Sequence, residues 1–502
     1  MQQSASSSPI REQIGVAMKK IWVAVAAVIL PALPLIGCGK QSERITAFTH
    51  VNLVPMTCET IVKDQTVLVE GARIVAVDGS DALRIPKGAT VIDGSGAYLM
   101  PGLADMHMHT RQDWDDQGVW PVHPLDLYLA NGVTTIRDFA PQGSPLIYAL
   151  EWRDEIRAGT RDGPAILASG RLLYASPLDD PAGIVRRNHD LGFDFVKLYS
   201  YLSPEDYHEA MAAAEELGMY SSGHIPYAVG LEGALHEGMD EVAHVEELLF
   251  EFIDIARDQD LSPEAWLSHV AASALAQWNL ASPSLLGDVQ AEESETLIWI
   301  VDQLRSADVP VCTTMVIDDV IQRKLFHLAE FAGRPENRYL PSQYEESLKR
   351  GEEKHQVQFR GIEDLAAFKH DIDLWILDGL RRGGVRLLLG TDAGTGGMGI
   401  VPGYSLHDEL RILVENGFTP YEAIATGTVN AAIVVERMTG EGDFGTIEEG
   451  NRADLILVEG NPLEDVTTVT APLGVMAAGR WYAQEALAEM IEPAGDSAVG
   501  KE

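Results

Sequence analysis

The sequence predicts an α/β protein: a (β/α)8 TIM-like barrel with a small β-sandwich domain built from both ends of the chain. Three observations carry this reading. The middle of the chain alternates eight apolar strand candidates with amphipathic helical segments, the pattern of parallel βαβ units. Short β-runs separated by turn residues flank that middle on both sides. Finally, 502 residues with 46% hydrophobic and 7% aromatic content suffice for one large core and a satellite domain.

Residues 1–38 read as an export segment. Met18-Lys19-Lys20 precedes an apolar stretch over 21–36 that contains Pro31 and Pro34 and falls short of the roughly 20 residues a membrane span needs. Leu35-Ile36-Gly37-Cys38 closes it in a pattern that resembles a bacterial lipobox, which implies lipidation of Cys38 and a membrane anchor there. Gly39 in place of Asp favours the outer membrane, facing the periplasm, and an ordinary secretory cleavage site is the alternative. Only Cys58 and Cys312 remain beyond it, in different parts of the expected fold, so no disulfide framework is expected.

The first half of the β-domain spans 44–97, with strands expected over 47–53, 66–69, 73–77 and 90–92. The barrel spans 98–437, its eight strands expected over 100–107, 133–139, 165–171, 194–199, 219–225, 241–245, 309–315 and 385–391. Helices over 204–217, 406–416 and 420–435 fit between or after them. Two connections, 246–308 and 316–384, are long and helical by pattern, and they leave the strand ends where barrel enzymes build their sites, as a lid would. Strands over 444–447, 453–458 and 475–482 form the second half of the β-domain, 438–490, and 491–502 is a polar tail expected to be disordered. A net charge of −39 argues against nucleic acid and anionic lipid surfaces as partners and leaves a small-molecule substrate. The sequence is compatible with a homo-oligomer without specifying one.

The chemistry collects at the ends of those strands. In Asp105-Met106-His107-Met108-His109, positions i and i+2 share a strand face, so His107 and His109 present two imidazoles together. Alone, such a pair is as easily a surface strand end. Lys197 ends the fourth strand, His224 the fifth, His244 the sixth and Asp392 the eighth, so six ligand-capable groups converge on one barrel mouth. Imidazole and carboxylate suit a divalent cation, zinc first, with manganese, iron or cobalt as alternatives. Each residue also has a plainer reading: Lys197 as a salt-bridge partner of Asp194, His224 as a turn residue, His244 as a buried hydrogen-bonded histidine. No nucleophile elbow or phosphate loop is present, and glycine-rich 394–399 is expected to form a flexible active-site loop.

Taken together, these motifs resemble the amidohydrolase superfamily from about residue 45 to 482. They stand as Pro101-Gly102-Leu103-Ala104-Asp105-Met106-His107-Met108-His109, Gly132-Val133-Thr134-Thr135-Ile136-Arg137-Asp138, Phe195-Val196-Lys197, Glu241-Val242-Ala243-His244 and Leu389-Gly390-Thr391-Asp392-Ala393. The branch with a strand-four lysine, which holds imidazolonepropionase-like and Xaa-Pro dipeptidase-like enzymes, implies two divalent metal ions. His107, His109 and Asp392 would hold one and His224 and His244 the other, with N6-carboxylated Lys197 bridging them. The chemistry is consistent with this, since an apolar run such as Phe193 to Leu198 disfavours the ammonium form and a neutral amine can add carbon dioxide. The resemblance also implies Asp392 as general base toward a metal-activated hydroxide. Pro226 departs from the His-x-His-Gly run of many relatives. The expected activity is cleavage of an amide bond in a dipeptide or N-acyl amino acid. The alternatives are a cyclic amide, lactone or phosphotriester, or a non-catalytic lipid-anchored binding protein. Tyr199, Tyr227, Arg171 and His123 are the substrate-binding candidates.

Overall fold

The computed structural model describes residues 44–116, 119–394 and 398–493. The export segment with Cys38, the centre of the glycine-rich loop and the tail from 494 onward lie outside the described residues. Among those described, the strands are β1 (Ile45–Leu53), β2 (Val62–Glu70), β3 (Arg73–Gly79), β4 (Thr90–Asp93), β5 (Tyr98–Pro101), β6 (Leu103–Met108), β7 (Val133–Asp138), β8 (Ala165–Ala168) and β9 (Leu173–Ala175). There follow β10 (Phe195–Tyr201), β11 (Tyr220–Gly223), β12 (Glu241–Val242), β13 (Val311–Cys312), β14 (Leu387–Leu388), β15 (Leu455–Val458), β16 (Gly474–Ala477) and β17 (Arg480–Ala483).

Both chain ends share one mixed sheet, ordered β17-β16-β15-β5-β1-β2-β3, with β4 and β5 lying in succession along the same edge of β1. Four strand steps separate β17 from β1, about 19 Å in a flat sheet. Yet Trp481 on β17 and Phe48 on β1 meet edge to face with ring centroids 5.1 Å apart. The sheet therefore curls over its own core of Phe48, Leu53, Val67, Leu99, Leu455 and Met476. That curl gives the sandwich character expected from the two flanks.

The strand expected over 100–107 is two strands. Tyr98–Pro101 pairs with β1 and β15 in the β-domain, and Leu103–Met108 pairs with β7 in the barrel, so the division falls at Gly102 rather than at residue 98. Gly102 permits the transfer because a Cβ there would sit 2.1 Å from Thr134 Oγ1. Its amide bonds instead to Asp454 of the returning chain end at 2.9 Å.

In the barrel, β6-β7-β8 and β9 to β14 form two parallel sheets. Bridges between Ser169 and Phe195 and between Met108 and Ala393 join them. The amide of Met106 donates to Leu389 O at 2.8 Å and that of Asp194 to Ala168 O at 2.9 Å. The eight strands β6, β7, β8, β10, β11, β12, β13 and β14 thus close on themselves, and β9 extends the edge of β10 beyond β8.

The helix Pro204–Leu217 shows how the outer layer is written locally. Proline stands at its first position, Ser203 accepts from the Asp206 amide at 3.2 Å, and Gly218 ends it. Within the two long connections, helix Glu363–Gly383 packs on Ser294–Ala307 and Val316–Phe326, with Trp375 5.5 Å from Phe252 and Phe368 5.1 Å from Trp278. These segments form packed wall rather than a separate flap. Among the described residues no helix is long and apolar enough to cross a membrane.

Candidate metal centre

Five strands deliver the polar groups, four of them at or just past their ends, whereas β10 runs on past Lys197 and presents it from its interior. His107 and His109 come from the end of β6, Lys197 from β10, His224 and His244 from just beyond β11 and β12, and Asp392 from beyond β14. The ligand atoms of His107, His109 and Asp392 all lie within 4.8 Å of one another. Asp392 Oδ1 is 2.8 Å from His109 Nε2 and 3.5 Å from His107 Nε2. The ring of His244 lies 4.4 Å from that of His107 and 4.8 Å from that of His224, centroid to centroid, so the four imidazoles form one continuous group.

Each of these imidazoles is tied down at Nδ1. His107 donates to Ala243 O and His109 to Ala140 O, both at 3.2 Å. Nδ1 of His244 contacts Thr314 Oγ1 at 2.8 Å, and that of His224 contacts Glu247 Oε1 at 2.5 Å. With Nδ1 occupied, Nε2 is the nitrogen left for a ligand, the orientation that outer partners impose on metal-binding histidines. Burial holds His107 and His224 well below the usual histidine range and pulls His244 down to about 3, which keeps them neutral donors. Burial acts the same way on His109, but its bond to Asp392 outweighs it and leaves that ring raised.

Two buried atoms here lack any hydrogen-bond partner among the described residues: His107 Nε2 and Lys197 Nζ. Lys197 is 2% exposed, its nitrogen 4.6 Å from the centre of the Phe139 ring, and burial pulls it down to about 8. The plainer reading of this lysine fails, because Asp194 is taken by Arg153 at 3.1 Å and by the Ala168 amide at 2.8 Å. An unpaired polar atom in the interior costs several kcal/mol, on the order of a lost hydrogen bond with its desolvation. Two of them beside a carboxylate and three further imidazoles suit a divalent cation.

Asp392 is held in the left-handed region, φ 59°, where a residue other than glycine is uncommon. Its amide donates to His107 O at 2.7 Å, and Thr391 Oγ1 donates to Asp105 at 2.6 Å. Gly390 lets this turn press against β6, since a Cβ there would meet Cys312 Sγ at 2.4 Å and His107 Cβ at 2.9 Å. Backbone strain of this kind concentrates where function requires a fixed geometry. Burial alone would raise the Asp392 carboxyl, but the His109 bond holds it lowered.

The other candidates fall in different places. Tyr199 lies next to the centre, its ring 4.1 Å from that of His224, and Tyr227 is buried one ring farther out, 5.9 Å from Tyr201. Arg171 is exposed, and its backbone is clamped by the Asn188 side chain. His123 is a correction. Its Nδ1 accepts from the Leu125 amide at 3.2 Å to cap helix Pro124–Ala130, and its Nε2 sits 3.3 Å from Asp115. It packs edge to face on Trp152 at 5.5 Å, so the contacts of this ring are those of a helix cap.

Sequence reasoning missed Glu247 and Thr314. Glu247 is three residues past His244, a spacing that would have flagged it had the short helix Val245–Phe252 been foreseen. Thr314 offered no local signal.

A family model, the amidohydrolase family, matches residues 375–482. The ochratoxinase of Aspergillus niger is 26% identical over 472 residues, covering 88% of this chain and 87% of that protein. The crystal structure of a putative prolidase from Bifidobacterium longum superposes with a TM-score of 0.59 at 21% identity, covering 89% of this chain and 99% of that one. A Xaa-Pro dipeptidase crystallised with methionine in its active site superposes with a TM-score of 0.58 at 19% identity, covering 88% of this chain and 100% of that one.

Proposed function

We propose that this chain, which carries an amidohydrolase-family domain, hydrolyses the amide bond of a dipeptide or N-acyl amino acid. In this reading His107, His109 and Asp392 hold one divalent metal ion and His224 and His244 a second. Lys197, carboxylated by carbon dioxide, serves both. Zinc is the first choice for such a donor set. The observation that carries the reading is the pairing of four imidazoles tied at Nδ1 with a buried lysine that has no hydrogen-bond partner among the described residues.

Ions bound there would supply Lewis-acid activation of water and of the scissile carbonyl. The chain supplies the rest. Burial pulls Lys197 down to about 8, which enlarges the share of free amine that carbamate formation needs. His107, His224 and His244 stay neutral, and all four imidazoles are fixed at Nδ1, so no reorganisation is required of them. Asp392 keeps its carboxylate form, and as general base it takes the proton of the attacking water and delivers it to the leaving nitrogen as the C–N bond breaks. Tethering through Cys38 in the cell envelope belongs to the same proposal and rests on the lipobox pattern. Incorporation of labelled palmitate, lost in Cys38→Ser, checks it.

The test is amine release from a panel of dipeptides and N-acyl amino acids, using protein from Gly39 onward supplied with zinc and bicarbonate, with Lys197→Ala as control. Cleavage that the control lacks is expected. No cleavage by protein shown to bind two metals per chain would overturn the amide reading in favour of a cyclic amide, lactone or phosphotriester.

A further inference from the structure

Strand β10 continues past Lys197 to Tyr199 and Tyr201, whose rings lie together with centroids 5.5 Å apart across a shift in the strand's register. Tyr199 lies against the metal-ligand candidate His224. Tyr174, from the neighbouring β9, closes a triangle with these two, its ring 4.9 Å from Tyr199 and 5.3 Å from Tyr201. From Tyr201 the aromatic surface runs on to Tyr227, which meets Phe250 at 4.9 Å and Trp266 at 5.7 Å.

This row begins at the candidate centre and ends in solvent. Tyr174 is 46% exposed, whereas Tyr201 and Tyr227 are buried. A tyrosine whose ring packs on two others and still shows nearly half its surface offers a face for a fourth ring.

We propose that this aromatic row is the substrate side-group subsite, and that it selects amides carrying an aromatic group next to the scissile bond. The proposal rests on the amide-hydrolase reading for its substrate class, while the subsite itself rests on the ring geometry. Aromatic pairing adds to simple area burial, so an aromatic group placed here is worth on the order of ten- to a hundredfold over a methyl group.

Two comparisons test it. The first is kcat/KM for N-benzoyl-alanine and N-acetyl-phenylalanine against N-acetyl-alanine, in the native protein and in Tyr174→Ala and Tyr174→Phe. At least one aromatic substrate is expected to lead by tenfold or more. Tyr174→Ala should cut that ratio several-fold through KM, and Tyr174→Phe should keep it. Equal rates for aromatic and acetyl substrates, or an unchanged ratio in Tyr174→Ala, would overturn the subsite. The second is calorimetric binding of benzohydroxamate and acetohydroxamate to the zinc-loaded protein, which needs no turnover. Benzohydroxamate should bind at least tenfold tighter, with the gap narrowed by Tyr174→Ala. Equal affinities would sink the subsite even if amides are cleaved, whereas a tenfold gap without amide cleavage would retain the subsite and reject the amide reading.

Discussion

The floor and the mouth of the barrel both bury charge, and they treat it in opposite ways. On the floor, Arg137 and Glu241 are fully buried and form a two-pronged ion pair, one arm of it 2.7 Å long. Further bonds hold both partners: Arg137 Nε donates to Met106 O at 2.8 Å, and Glu241 accepts from Tyr220 at 3.1 Å and Ser222 at 3.2 Å. The arginine also lies over the Phe139 ring at 4.6 Å. At the mouth, against the same Phe139 ring, His107 Nε2 and Lys197 Nζ have no hydrogen-bond partner among the described residues. Both regions carry the cost of desolvation. One recovers it from within the protein, and the other leaves valence open for something to bind.

Four substitutions break or sharpen that contrast. Asp392→Asn should lower kcat by about 10²- to 10⁴-fold, the range of general acid–base catalysis, while circular dichroism and Tm stay near native. Loss of fold instead would move Asp392 to the structural side of the comparison. Glu241→Gln should destabilise by about 3–5 kcal/mol in urea titration, because it leaves the Arg137 charge buried and unpaired. A small effect would mean that water reaches the floor. Glu247→Gln should weaken retention of one of two metals by about 10- to 100-fold, read by metal analysis after graded chelation, since it loosens His224 alone. Loss of both metals together, or of neither, would contradict the assignment of His224 to one site. His123→Ala should cost about 1 kcal/mol as a lost helix cap and leave kcat/KM within about twofold. A large drop in activity would return this histidine to the pocket.

Much of the site was legible because strands write their function at their ends. Period-two alternation puts His107 and His109 on one face, and apolar runs ending in Lys197, His244 and Asp392 point to a common mouth once eight such runs are counted. Legibility stopped where a residue's role depends on what lies opposite. His123 sits in a loop near the expected mouth, and nothing along the chain shows that its ring turns back to the Leu125 amide. Arg137 and Asp138 are neighbours at the end of the second barrel strand, and nothing local separates their roles. The first reaches Glu241, 104 residues on, and the second accepts from Thr110 and the Ala140 amide. The β-domain boundary was misplaced by four residues because Tyr98 to Ala104 is one unbroken apolar run, and periodicity does not reveal that its two halves pair in different sheets.

The sequence by itself determined the class of fold, the convergence of six ligand-capable side chains and the pairing of the chain ends, since hydrophobic period and strand-end chemistry are local properties. Tertiary structure decided which nitrogen of each histidine is left for a ligand, that Asp194 turns to Arg153 and leaves Lys197 alone, and that the tyrosines beyond Lys197 form a row reaching solvent. Those outcomes depend on contacts between residues 23 to 136 positions apart, such as His107 with Ala243. Contacts at that separation follow from how the barrel closes, and no local pattern encodes them.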